Sequence, residues 1–210
     1  MVDKTVPYYD VFMLHHNLND VEVMPLPDGY SFRYFDGSQT DIDHWCEIEA
    51  SSGDVESVEK AHSEFDRYYG NSIGLLKERC LFLLSSDSLP VGTATAYMFL
   101  EGQPGLPEPA SDAEELPENV TGHLHWVAMR EDYKGRGLSK PLITKTMQRM
   151  AELGHKKAFL HSQTPSWVAC KIYLDLGWEP FRFVQSREDF TAGWNIVFDK
   201  AGVSRELPSS

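Results

Sequence analysis

Cysteine is scarce in this 210-residue chain: Cys46, Cys80 and Cys170 are the only three, and they lie far apart. An odd, scattered set does not make a disulfide framework or a cysteine-rich metal site, and it fits reduced core thiols in a cytoplasmic protein. Basic charge is short as well, with 19 Lys and Arg against 32 Asp and Glu and a net charge of −13. That balance argues against non-specific nucleic-acid binding, which needs a basic surface. It suits a cationic partner, and the demands of solubility account for it equally. No apolar run approaches the roughly 18 residues that a membrane span requires, and no signal peptide is read at the start of the chain. The Walker A pattern GxxxxGK[ST] and the dinucleotide pattern GxGxxG are both missing, and no internal repeat is evident.

What is present centres on residues 123–177. His123 to Met129 is a short strand-like run. Period-2 alternation puts His123, His125, Val127 and Met129 on one face and Leu124, Trp126 and Ala128 on the other. The turn Lys134-Gly135-Arg136-Gly137-Leu138-Ser139 follows, and its two glycines allow a tight backbone bend with N–H groups left bare. Leu142, Ile143, Met147, Met150 and Ala151 then recur at helical spacing, with Ser139 as the expected N-cap, Pro141 near the start and Gly154 at the end. A glycine-rich turn that opens a helix is an anion site, because free N–H groups and the helix dipole act together; Lys134 and Arg136 add positive charge. The expected guest is a phosphate or pyrophosphate, although an isolated GxG can be a plain tight turn.

The flanks sharpen this reading. Lys134-x-x-Gly137-x-Ser139 after an apolar strand resembles the [RQ]-x-x-G-x-[GA] motif of the GNAT superfamily of N-acetyltransferases. Ser166-x-x-Ala169-x-x-Ile172-Tyr173-x-x-x-Gly177-Trp178 resembles that superfamily's N-x-x-A-x-x-L-Y-x-x-x-G-F segment, with the same order and spacing. Three positions depart from the pattern: Lys134 for Arg or Gln, Ser139 for Gly or Ala, and Ser166 for Asn. The resemblance implies a mixed α+β fold, with a central, mostly antiparallel twisted sheet of about seven strands flanked by about four helices. It implies acetyl-CoA as co-substrate, with Lys134 to Ser139 on the pyrophosphate, Val127, Ala128 and Met129 along the pantetheine arm, and Ser166 near the cofactor. It also implies that Tyr173 gives a proton to the departing sulfur. His123-Leu124-His125 resembles the H-L-H segment of arylalkylamine N-acetyltransferases, where the pair relays the amine proton.

In this reading residues 1–27 are an N-terminal extension with room for an extra strand at Tyr8 to His15. Residues 28–200 are the acetyltransferase domain, and residues 201–210 are a polar tail. Helices are expected from about Asp41 and over Val55 to Tyr69, resuming at Ile73. A hairpin is expected over Cys80–Leu84 and Val91–Leu100. Residues 101–122, rich in Pro and acidic side chains, form a long solvated loop. Lys156 to Gln163 is a strand, Thr164 caps the next helix with Pro165 at its first position, and Trp178–Phe183 and Trp194–Phe198 close the sheet as a hairpin.

Acyl transfer from a thioester to an amine needs an acid for the thiolate, a base for the amine and near-attack positioning, but no covalent nucleophile. Tyr173, with an ordinary pKa of about 10, suits the acid, and an imidazole of about 6.5 suits the base. If His123 and His125 only pack the strand, the base falls to carboxylates such as Glu47 or Asp66. A metal is not expected, since HxH supplies two ligands and only His161 offers a third. The expected acceptor is a primary amine of a small molecule, with no nucleic-acid or membrane partner; a homodimer stays open. A non-catalytic CoA-binding or regulatory domain is the alternative, because a fold does not prove a reaction.

Overall fold

The computed structural model describes residues 2–99 and 106–207. Expectations for Leu100, Pro104, the rest of 101–105 and the last three positions of the tail lie outside the described residues. The elements run β1 (Asp10–His15), β2 (Ser31–Tyr34), α1 (Gln39–Ser52), α2 (Val58–Tyr69), α3 (Ile73–Arg79), β3 (Cys80–Leu84), β4 (Pro90–Met98), β5 (Val120–Met129), α4 (Ser139–Glu152), β6 (Lys157–Gln163), α5 (Trp167–Asp175), β7 (Glu179–Phe181) and α6 (Arg187–Ala201).

The seven strands form one sheet in the order β2-β3-β4-β5-β6-β1-β7. Neighbours are antiparallel except β5 and β6, which run parallel. The sheet is therefore the expected one, flanked by six α-helices among the described residues rather than about four. The segment read as an N-terminal extension places β1 inside the sheet, between β6 and β7. Val11 and Met13 are fully buried in the same core as Leu160 and Trp178.

Each face of the sheet carries its own core. On one side α1, α2 and α3 set Trp45, Ile48, Phe65, Tyr69 and Leu76 against Phe82 and Tyr97. On the other, Met147 and Met150 of α4, Tyr173 of α5 and Trp194 and Phe198 of α6 cover Leu124 and Leu160. α1 starts where Ser38 caps the Asp41 N–H, and the buried Asp41 carboxylate takes two bonds from Arg33, at 2.6 and 2.5 Å, which pin the helix to β2.

Several local expectations are corrected. Trp194–Phe198 is helix, not strand: Ser186 caps α6, and Phe190, Trp194, Val197 and Phe198 fall on one buried stripe at helical spacing. The expected closing hairpin shrinks to the three residues of β7. α4 begins after Leu138, so Ser139 is its first residue and caps nothing. The Thr164 hydroxyl caps no helix either; it accepts from the Tyr9 N–H at 2.9 Å and donates to the Pro7 carbonyl, which ties the start of β1 to the β6–α5 junction. The acidic loop is fastened over its described part. Ala110 and Glu114 N–H groups bond to the Val184 and Phe183 carbonyls, and Arg182 pairs with Asp112 and Glu114.

Candidate active site

The site exists because two parallel strands part. β5 and β6 pair only from Val120 to His123 against Lys157 to Phe159. Beyond that stretch β6 stays bonded to β1 on its other edge and β5 to β4 on its own, so the two facing edges separate. The gap is a cleft of about 260 Å³, lined from β5 by His123 to Val127, from β6 by Leu160 to Gln163, from α5 by Ala169 and Tyr173, and from the α1 side by Glu49 and Asp54.

A bulge shapes the β5 wall. Thr93 pairs with Ala128 and Thr95 with His125, so two β5 residues lie opposite Ala94, and Trp126 takes a positive φ of 49°. The extra residue overturns the expected alternation. His125 and Trp126 both face α2, with ring centroids 5.0 and 5.4 Å from Tyr68. Ala128 joins the α1–α2 core, whereas Val127 and Met129 pack on the α4 side with Leu138 and Leu142. Val127 and Met129 therefore do not share the face of the two histidines. A tryptophan in the left-handed region is strained, and such outliers gather at functional sites.

His123 and His125 lie 4.4 Å apart, and His123 stacks on Phe159 at 4.2 Å. His125 Nδ1 is 2.8 Å from the Tyr69 hydroxyl. Burial pushes the His125 imidazole down to about 3, with the nearby His161 adding to the shift, and it holds His123 well below the usual range. Both are neutral at physiological pH, and neither has the ordinary imidazole value of about 6.5 that suits a base. Tyr173 is 7% exposed and lines the cleft; burial first, then the neighbouring Cys170 and the carboxylates Asp54 and Glu49, raise its phenol far above the usual value. Ser166 also lines the cleft, where its hydroxyl accepts from the Gln163 side-chain amide at 3.3 Å.

The glycine-rich turn stands apart from these cleft-lining side chains. Gly135 and Gly137 have φ of 75° and 77°, and a Cβ built on either meets nothing within 4 Å. No side chain caps the start of α4. Open space before two left-handed glycines and an uncapped helix start fits a phosphate group. The cations behave otherwise than expected. Lys134 Nζ donates to the Ser52 carbonyl at 2.7 Å and to Glu131 at 2.6 Å, bracing the turn against the end of α1. Arg136 lies over the Tyr133 ring and donates to the Asp132 carbonyl.

The fallback carboxylates are elsewhere: Glu47 pairs with Arg130 at 2.6 Å, and Asp66 is not among the residues that line the cleft. The three cysteines are buried, and burial raises their thiols to about 12, 11 and 12 for Cys46, Cys80 and Cys170, which leaves no thiolate nucleophile. His161 bonds Asp10 at 2.8 Å. Sequence reasoning missed Glu49. It is 1% exposed, and its Oε1 has no hydrogen-bond partner. The signal was its spacing: Glu49 falls on the stripe of Trp45, Ile48 and Ser52, so an acid sits on the buried face of α1.

The fold and the motifs have counterparts among known proteins. A GCN5-related N-acetyltransferase from Sphaerobacter thermophilus superposes with a TM-score of 0.58 at 17% identity, covering 84% of this chain and 50% of that one. A GNAT-family acetyltransferase from Colwellia psychrerythraea gives 0.55 at 11% identity, covering 83% and 54%. At such identities the likeness is one of fold. A mycothiol acetyltransferase from Corynebacterium aurimucosum is 42% identical over 65 residues, 31% of this chain and 21% of that protein. The chain thus spans about half the length of these solved relatives and about a fifth of the curated one. The profile of the Acetyltransferase (GNAT) family matches residues 42–178, from α1 through the parted strands to the end of α5, and the chain belongs to that family.

Proposed function

We propose that this protein is an acetyl-CoA-dependent N-acetyltransferase that passes an acetyl group directly to a primary amine of a small molecule. The observation that carries the reading is the cleft between β5 and β6, where Tyr173 and the pair His123 and His125 line one space. Acetyl-CoA supplies the activated thioester. Lys134, Gly135, Arg136, Gly137, Leu138 and Ser139 form the turn that holds its pyrophosphate, chiefly through backbone N–H groups, with Lys134 bracing the turn. The backbone of Val127 to Met129 holds the pantetheine arm, and Ser166 lies alongside.

Tyr173 keeps its proton across the physiological range and can give it to the leaving sulfur. Neutral His125 serves the amine when its Nδ1–H donates to the Tyr69 oxygen, because Nε2 then offers a lone pair to a departing N–H proton. The local likeness to a mycothiol acetyltransferase supports a small-molecule acceptor over a protein one. Three free, buried thiols support a reducing compartment, and we infer the cytoplasm. The test is release of free CoA thiol from acetyl-CoA over a panel of primary amines. Amine-dependent release is expected. CoA binding without release for any amine would leave a non-catalytic CoA-binding domain.

A further inference from the structure

We infer that Glu49 is the seat of the acceptor's ammonium group, and that the acceptor is a small alkylamine that arrives as a cation. This deepens the transferase reading and rests on it.

Glu49 is almost wholly buried, its Oε1 lacks a hydrogen-bond partner, and it lines the cleft together with Asp54. A carboxyl oxygen so placed is costly unless a donor meets it. No Lys or Arg is among the lining residues to supply that donor, and a ligand entering the cleft can. The Asp54 charge and a lining without Lys or Arg disfavour an acidic acceptor and favour a positive one. The rings of Tyr68 and Trp126 line the same space and favour a cation over their faces. Burial, then the Asp54 charge, raises the Glu49 carboxyl well above the usual range, and an ammonium beside it would reverse that. Glu49 also contributes to the raised phenols of Tyr69 and Tyr173, which places it among the groups of the proposed chemistry.

The seat also supplies a proton step. An ammonium held at Oε1 passes one proton to the carboxylate: an N–H bond breaks, an O–H bond forms, and the nitrogen lone pair is freed to attack. The second N–H proton goes to His125 Nε2 as the C–N bond forms; the acyl C–S bond breaks, and the departing sulfur takes the Tyr173 hydroxyl proton.

Calorimetry on the protein loaded with CoA, which cannot transfer acetyl, tests the seat. Methylamine, butylamine and 2-phenylethylamine are titrated beside methanol, butanol and 2-phenylethanol. The parent should prefer at least one amine over its alcohol by about tenfold or more, the scale of one charge-assisted bond. Glu49→Gln should lose that preference and keep its CoA affinity. If Glu49→Gln does not fold, Glu49→Ala takes its place. No binding by any of the amines, or an amine preference that survives the substitution, would overturn the seat. A parallel loss of CoA affinity would assign Glu49 to the pantetheine arm and overturn it as well. Failure of the transferase reading has a different signature: the amines bind through Glu49 while acetyl-CoA stays intact with every one of them.

Discussion

Tyr173 and the two histidines differ in what burial does to them. Burial keeps the proton on a phenol and keeps it off an imidazole. Tyr173→Phe removes a hydroxyl from the cleft wall and little packing; kcat should fall roughly 100-fold with CoA affinity nearly unchanged. Thiol-release kinetics beside calorimetry with CoA check this, and an unaltered rate would return Tyr173 to the core. For the histidines the sign follows from linkage. In the unfolded chain an imidazole titrates near about 6.5. In the folded protein His125 is lowered to about 3 and His123 is lowered well below its usual value. Between those limits the unfolded state binds more protons, so stability is full above about pH 6.5 and is lost as pH falls below it. The His123→Gln, His125→Gln double variant should show a flatter decline in urea midpoint between pH 8 and 5 than the parent. Parallel curves would mean that neither histidine is held neutral by the fold. The residue types of Tyr173 and the HxH pair were legible in the sequence. Their shifted protonation was not, because it depends on neighbours such as Tyr69, Phe159 and His161 that only the fold brings close.

The run from β5 through the glycine turn, α4, β6 and α5 was readable because its signals are local: alternation, glycines, a helical stripe and a stop. The bulge at Trp126 was not readable. One added residue exchanges the faces of Val127 and Ala128, and nothing in the run marks where the extra residue goes. Trp194–Phe198 misled for a different reason. Trp-Asn-Ile-Val-Phe is rich in strand-favouring side chains, yet the Ser186 cap and the stripe from Phe190 make it helix, so tertiary burial overrode propensity. The turn itself carries a sharp test. Gly137 has a φ of 77° and a Cβ there meets nothing within 4 Å; if the turn holds the pyrophosphate as proposed, a longer side chain there occupies the phosphate's place. Gly137→Glu should fold, with a cost of about 1–2 kcal/mol for the left-handed backbone, and should lose the rise in Tm that acetyl-CoA gives the parent. A variant that keeps the parent's shift would remove the turn from the cofactor site.

Over the whole molecule the decisive feature is where the sheet opens, and that depends on partners far apart in sequence. β1 pairs with both β6 and β7, residues about 150 positions downstream; it holds one edge of β6 from Ala158 to Gln163, while β5 leaves the other edge after Phe159. Nothing local to residues 10–15 announces that role, which is why the segment read as an extension. The opening is the cleft of about 260 Å³ proposed to bring acyl donor and amine together, and the buried, unionised cysteines offer no stopping point for the acyl group. Direct transfer within a complex of protein, acetyl-CoA and amine is the central claim. The measurement that bears on it most directly is mass spectrometry after incubation with acetyl-CoA labelled with carbon-13 in the acetyl group, with and without a primary amine. The account predicts labelled acetyl on the amine nitrogen and none on Cys46, Cys80 or Cys170 when the amine is left out; label on a cysteine, passed on when the amine is added, would contradict it.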